Sequence, residues 1–113
     1  MKRDIILFIE DILENIVLIE DSMRKMSEKD FKMNRLMIDA TVRRLEIVGE
    51  AAKNVPMEFR GKYPSVPWKK IAGIRDVLTH AYFSVNIERI LNIIKTDLPK
   101  LKIEIKKILE KER

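Results

Sequence analysis

Ile5, Ile9, Ile12, Ile16, Ile19, Met23 and Met26 recur at alternating spacings of four and three. That is the period of a helix that buries one continuous seam, and a strand, whose side chains alternate every two residues, cannot use it. The spacing predicts a long helix over about 3–26. Ile6, Phe8, Leu13 and Val17 widen its stripe, so the helix needs more than one neighbour, as in a bundle. The same alternation returns near the carboxyl end in Ile87, Leu91, Ile94, Leu98, Leu101, Ile105 and Ile108, and it runs straight through Pro99. A proline inside a helix removes one backbone hydrogen bond and clashes with the preceding turn. The expectation there is a kinked helix, or two helices sharing one stripe.

Between these seams, Ser27-Glu28-Lys29-Asp30 reads as a turn with a cap, followed by a helix over about 31–53. Met33, Met37, Ala40, Ile47, Val48 and Ala51 are its expected apolar face. Gly49 inside that helix costs about 1 kcal/mol relative to alanine, which predicts that another helix approaches closely there. Asn54 to Pro67 holds three prolines and Gly61 and reads as the one long connection, with a short turn near Met57 to Arg60. Pro67 suits the first position of a third helix, expected to end near Tyr82, with Trp68 in the core. Ser84 or Asn86 can cap the fourth. The expected fold is all-α, an antiparallel bundle of four to five helices forming a single domain over 1–113.

Composition narrows the function classes. No run of about 18 apolar residues occurs, so neither a signal peptide nor a membrane span is expected. The absence of cysteine excludes disulfides, thiolate metal sites and cysteine nucleophiles, and fits a cytoplasmic protein. The net charge of +5 permits a polyanionic partner, but carboxylates are interleaved with the lysines nearly everywhere, so charge alone does not decide function.

Projected on one ideal helix, Ile71, Ile74, Val77, Leu78 and Ala81 share a core face, while Arg75, Asp76, Thr79 and His80 lie on the side facing away from it. Asp76 and His80 are four residues apart, so the carboxylate can orient the imidazole. The unremarkable reading is a solvated polar face. The functional one is that His80, the single histidine, moves protons near neutral pH while Arg75 offers a forked, permanent charge to a phosphate. That pairing suits phosphodiester chemistry. No cluster of metal-ligating residues stands out, so the residues support a mechanism with no metal and no cofactor. Gly73 removes bulk from the same outer face, leaving room for another subunit. Lys69 and Lys70 are either solubilising or phosphate contacts; of Arg43 and Arg44, one either lines this polar face or pairs with Glu46 or Glu50, and the sequence leaves open which.

Arg75-x4-His80-x-Tyr82 resembles the Arg-x4-His-x-Tyr signature of HEPN-domain ribonucleases, specifically the HepT toxin class paired with MntA-type minimal nucleotidyltransferase antitoxins. The resemblance extends to Arg44-Leu45-Glu46-Ile47-Val48-Gly49-Glu50-Ala51-Ala52-Lys53, Tyr63-Pro64-Ser65-Val66-Pro67-Trp68, Ile71-Ala72-Gly73-Ile74-Arg75-Asp76 and His80-Ala81-Tyr82-Phe83, in the family's order. Asn86 stands where many relatives carry Asp. The resemblance implies a homodimer whose motif helices face each other, with Arg75 and His80 as catalytic residues acting on RNA. It also implies that Tyr82 accepts AMP from the nucleotidyltransferase partner. The wheel agrees with a shared site, because Arg75 and His80 diverge by about 140° on one helix. Two other classes stay open: a non-catalytic nucleotide- or RNA-binding partner of a nucleotidyltransferase, and a purely structural dimerisation bundle.

Overall fold

The computed structural model describes residues 2–80 and 86–113, and every regular element among them is helical. Helix α1 (Lys2–Arg24) carries the first seam, and Ile9, Ile12, Ile16 and Ile19 are fully buried along it. Met23 and Met26, at the seam's end, are only partly buried.

The second helical pattern divides in two. Ser27 caps a short α2 (Glu28–Lys32), its hydroxyl accepting from the Asp30 amide at 3.1 Å. Asn34 then caps α3 (Arg35–Asn54), its side chain accepting from the Met37 amide at 3.0 Å. Two N-terminal side-chain caps seven residues apart start two separate helices, because each satisfies a first-turn amide that a continuous helix would bond internally. The break corrects the expected face of this segment. Phe31 is fully buried, whereas Met33, expected in the core, sits at the junction and is 83% exposed.

In the long connection, α4 (Met57–Lys62) is more than a turn. Its Arg60 guanidinium caps the end of α3, donating to the carbonyls of Ala52, Lys53 and Val55 at 2.9, 3.1 and 2.9 Å. A helix end leaves its last carbonyls short of intrahelical donors, and of these three, among the described residues, only Ala52 also accepts from a backbone amide, that of Val55 at 3.2 Å. Trp68 is buried as expected, and its indole N–H donates to the Tyr63 carbonyl at 3.0 Å.

The third helix is interrupted too, giving α5 (Trp68–Ala72) and α6 (Ile74–His80) with Gly73 between them. After Asn86, whose side chain accepts from the Arg89 amide, come α7 (Ile87–Asn92), a π-helical turn (Ile93–Asp97) and α8 (Leu98–Glu112). The expected disturbance near Pro99 is therefore a wide turn just upstream, with Pro99 in the first turn of α8, where a missing N–H is tolerated. The apolar stripe survives it: Leu91, Ile94, Leu98, Leu101, Ile105 and Ile108 are all buried.

Ion pairs fix the directions of the long helices. Lys2 meets Glu112 at 3.7 Å and Glu20 meets Lys102 at 2.7 Å, so α1 and α8 are antiparallel. Arg44 of α3 reaches back to Leu18 and Ser22 near the end of α1, while Asn54 and Pro56 lie beside Asp4 and Phe8 at its start, so α1 and α3 are antiparallel as well. Helices α5 and α6 lie against α3. Among the described residues no helix is long and apolar enough to cross a membrane.

Candidate functional site

The candidate residues lie on α6, and α3 decides where α6 sits. A Cβ on Gly49 would come within 3.3 Å of both the Arg75 amide nitrogen and the Ile71 carbonyl oxygen, and 3.5 Å from the Arg75 Cβ. The close approach expected at Gly49 is therefore made by the junction of α5 and α6, which presses backbone to backbone against α3. Glycine is used here for its missing side chain, and its φ is not positive.

The polar and apolar sides of α6 fall as the helical projection expects over the described side chains. Ile74 and Leu78 are buried, as is Ile71 of α5 before the break, Val77 is partly buried, and Arg75 and Asp76 are exposed. The break at Gly73 lies before Arg75, so it leaves the projection intact from Ile74 onward. Gly73 itself is partly buried and faces a cavity of about 260 Å³ shared with Lys70, Ile74, Val77, Arg89, Ile93 and Asp97.

The contact that sequence reasoning missed is between Arg75 and Glu50. Arg75 Nη1 donates to Glu50 Oε2 at 2.6 Å, a short charge-assisted bond. The only local signal for it was the Gly49-Glu50 pair, in which a close approach is followed at once by a carboxylate. The sequence left open whether Arg43 or Arg44 pairs with Glu46, pairs with Glu50 or lines the cleft. In the structure Arg43 pairs with Glu46 at 3.7 Å, and Arg44 ties α3 to α1 through Leu18 and Ser22.

Lys69 and Lys70 are both exposed on α5 and border a shallow groove with Met57, Arg60, Gly61 and Trp68. They differ in engagement, since Lys70 is bound to Asp97 at 3.2 Å. His80 is the last residue of α6. The expectations for its side chain, including the partnership with Asp76, and those for Ala81, Tyr82 and Ser84, lie outside what is described. Among the described residues no three His, Cys, Asp or Glu side chains converge as metal ligands would.

Away from α6, Glu112 gathers the chain ends. It accepts from the Tyr63 hydroxyl and pairs with Lys62 at 3.2 Å and Lys2 at 3.7 Å. Burial, and then the hydrogen bond and charge of Glu112, push the Tyr63 phenol up to about 12. The Tyr63 bond, reinforced by Lys62 and Lys2, holds the Glu112 carboxyl below its usual range despite its burial.

Comparison with known proteins places the chain in a family. The model of the family described as HepT-like, "Ribonuclease HepT-like", matches residues 12–108. A "Gamma-glutamylcyclotransferase and putative RNase" of Methanocaldococcus jannaschii is 46% identical over 97% of this chain, which spans 50% of that relative's length. A "Putative RNase" of Caldanaerobacter subterraneus subsp. tengcongensis is 43% identical, with 94% of this chain and 95% of the relative covered. A "Probable ribonuclease HepT" of Thermococcus cleftensis is 41% identical, covering 96% of this chain and 98% of the relative. No solved structure matches. On the extent of these matches and the all-helical fold, the chain belongs to the ribonuclease HepT-like family, of HEPN type.

Proposed function

We propose that this protein is a metal-independent endoribonuclease, the toxin of a toxin–antitoxin pair, cutting RNA at a site formed by Arg75 and His80 across a homodimer. The observation that carries this reading is the exposed Arg75 guanidinium on the polar face of α6, with His80 closing the same seven-residue helix. Family membership and the ribonuclease names of the relatives support RNA as the substrate.

In the proposed reaction His80 takes the proton of the ribose 2'-hydroxyl as its oxygen attacks the adjacent phosphorus. The bond from phosphorus to the 5'-oxygen breaks, and that oxygen takes a proton from the partner subunit's His80. The products are a 2',3'-cyclic phosphate and a 5'-hydroxyl. Arg75 stabilises the charge that builds on the phosphoryl oxygens. The supply from two subunits is what the family resemblance implies, and the divergence of about 140° between Arg75 and His80 on one ideal helix supports it. Asp76, one turn before His80, orients the imidazole. Lys69 steers RNA towards the site, and Lys70 joins it when its bond to Asp97 exchanges for a phosphate. Tyr82 accepts AMP from a minimal nucleotidyltransferase antitoxin, and the added phosphate occupies the Arg75 anion site.

The test is cleavage of a defined RNA, with a chelator present, by wild type, Arg75→Ala and His80→Ala, alongside an all-deoxy oligonucleotide of the same sequence. Wild type should cut only the RNA and leave cyclic phosphate ends, and both variants should be inactive. Cutting of the all-deoxy strand, full activity in His80→Ala, or RNA binding without cutting overturns the reading, the last in favour of a binding module.

A further inference from the structure

Glu50 stands outside the Arg-x4-His-x-Tyr motif, on a different helix from Arg75 and 25 residues away in sequence, yet its carboxylate holds the Arg75 guanidinium at 2.6 Å. Both side chains are about half exposed, 47% for Glu50 and 50% for Arg75. A pair so exposed contributes little to stability, so stability does not account for a carboxylate beside a cation offered to phosphate. Charge argues against it as well, because an anion beside an RNA-binding arginine opposes RNA.

Position supplies the reason. Gly49 brings the Arg75 backbone against α3, which fixes where the side chain begins, and the next residue, Glu50, engages its far end. An arginine side chain surrenders rotamer freedom when it is held in one geometry. Holding it before RNA arrives removes that cost from the reaction. A guanidinium has five donors in a rigid fork, so a carboxylate on one edge fixes the plane in which the others point.

From this geometry we infer that Glu50 is the positioning residue of Arg75: it aims the guanidinium at the scissile phosphate, and costs some RNA affinity in doing so. The inference rests on the reading of Arg75 as the phosphate-stabilising group. It assigns to one carboxylate two effects of opposite sign, faster cutting and weaker RNA binding.

The experiment compares wild type, Glu50→Gln and Glu50→Ala. Both variants remove the charge, but only glutamine keeps an oxygen that can accept from the guanidinium. Affinity for a non-cleavable RNA carrying a 2'-deoxyribose at the cut site should rise to a similar extent in both. The kcat should fall by about 10- to 100-fold in Glu50→Ala, the scale of a misplaced catalytic group, and much less in Glu50→Gln. Equal kcat in the two variants, or weaker RNA binding in both, overturns the inference. The Nε–Hε NMR signal of Arg75 gives a readout that does not depend on cleavage. It should be sharp in wild type and Glu50→Gln and averaged in Glu50→Ala. If wild type does not cut RNA but the signal behaves so, the ribonuclease reading fails and the positioning contact stands. If RNA is cut normally and the signal is unchanged in Glu50→Ala, the positioning inference alone fails.

Discussion

Gly49 and Arg75 are in backbone contact: a single methyl group on Gly49 would lie 3.3 Å from the Arg75 amide nitrogen. The position of the candidate anion-binding residue is thus set by the absence of a side chain on another helix. In Gly49→Ala the gain in helix propensity, about 1 kcal/mol, works against crowding of backbone atoms that cannot rotate away. Net stability in urea should change by no more than about 1 kcal/mol, while RNA cleavage falls because Arg75 is displaced. Gly49→Val, larger and β-branched, should lose about 1–3 kcal/mol of stability. Full cleavage by Gly49→Ala would show that the contact does not set the site.

Arg75→Ala separates function from stability. Its bond to Glu50 is half exposed, so the loss of stability should stay below about 1 kcal/mol while cleavage disappears. Arg75→Lys keeps the charge but not the fork; it should retain much of the RNA binding and still cut poorly. These are read by denaturant titration, RNA binding and cleavage.

Arg60 has the opposite balance. Its three bonds to the carbonyls of Ala52, Lys53 and Val55 close the end of α3. Arg60→Ala leaves those acceptors without a charged donor, and should cost about 2 kcal/mol in urea denaturation. A change below about 0.5 kcal/mol, the range of ordinary surface substitutions, would remove the capping role.

The Tyr63–Glu112 contact predicts pH dependence at both extremes. The Tyr63 phenol is raised to about 12 in the folded protein, above the ordinary value of 10. Its stabilisation is therefore present in full below about pH 10 and is lost as pH rises towards 12. Glu112 is shifted down, so its contribution is present above the ordinary carboxylate range and is lost as pH falls through and below it. Tyr63→Phe should flatten the alkaline limb of the stability curve and Glu112→Gln the acid limb. Phenolate absorbance should show one of the two tyrosines titrating near 12.

The proposed off switch has its own readout. Incubation with the cognate minimal nucleotidyltransferase and ATP should add the mass of AMP to wild type and stop cleavage, and Tyr82→Phe should escape both. Persistence of the adduct in Tyr82→Phe would refute the assignment.

Sequence by itself determined the faces. Which side of α1 and α8 is buried follows from helical spacing, a local property, so Ile9, Ile12, Ile16, Ile19, Leu101, Ile105 and Ile108 could be read as core from their intervals alone. The exposure of Arg75, outside the arc that holds Ile74 and Leu78, was legible for the same reason, and Gly49 announced a close approach without saying to what. Tertiary structure decided the interruptions and the partners. The helix expected over 31–53 breaks at Asn34, leaving Met33 in solvent, because Phe31 and Ile38 enter the core from separate helices. Glu50 meets Arg75, and neither Arg43 nor Arg44, because the backbone approach at Gly49 brings α6 nearer to it than intervals within α3 can reveal. Periodicity reports how a helix is oriented about its own axis; how two helices are set against each other depends on the volume left between them, which exists only once both are in place.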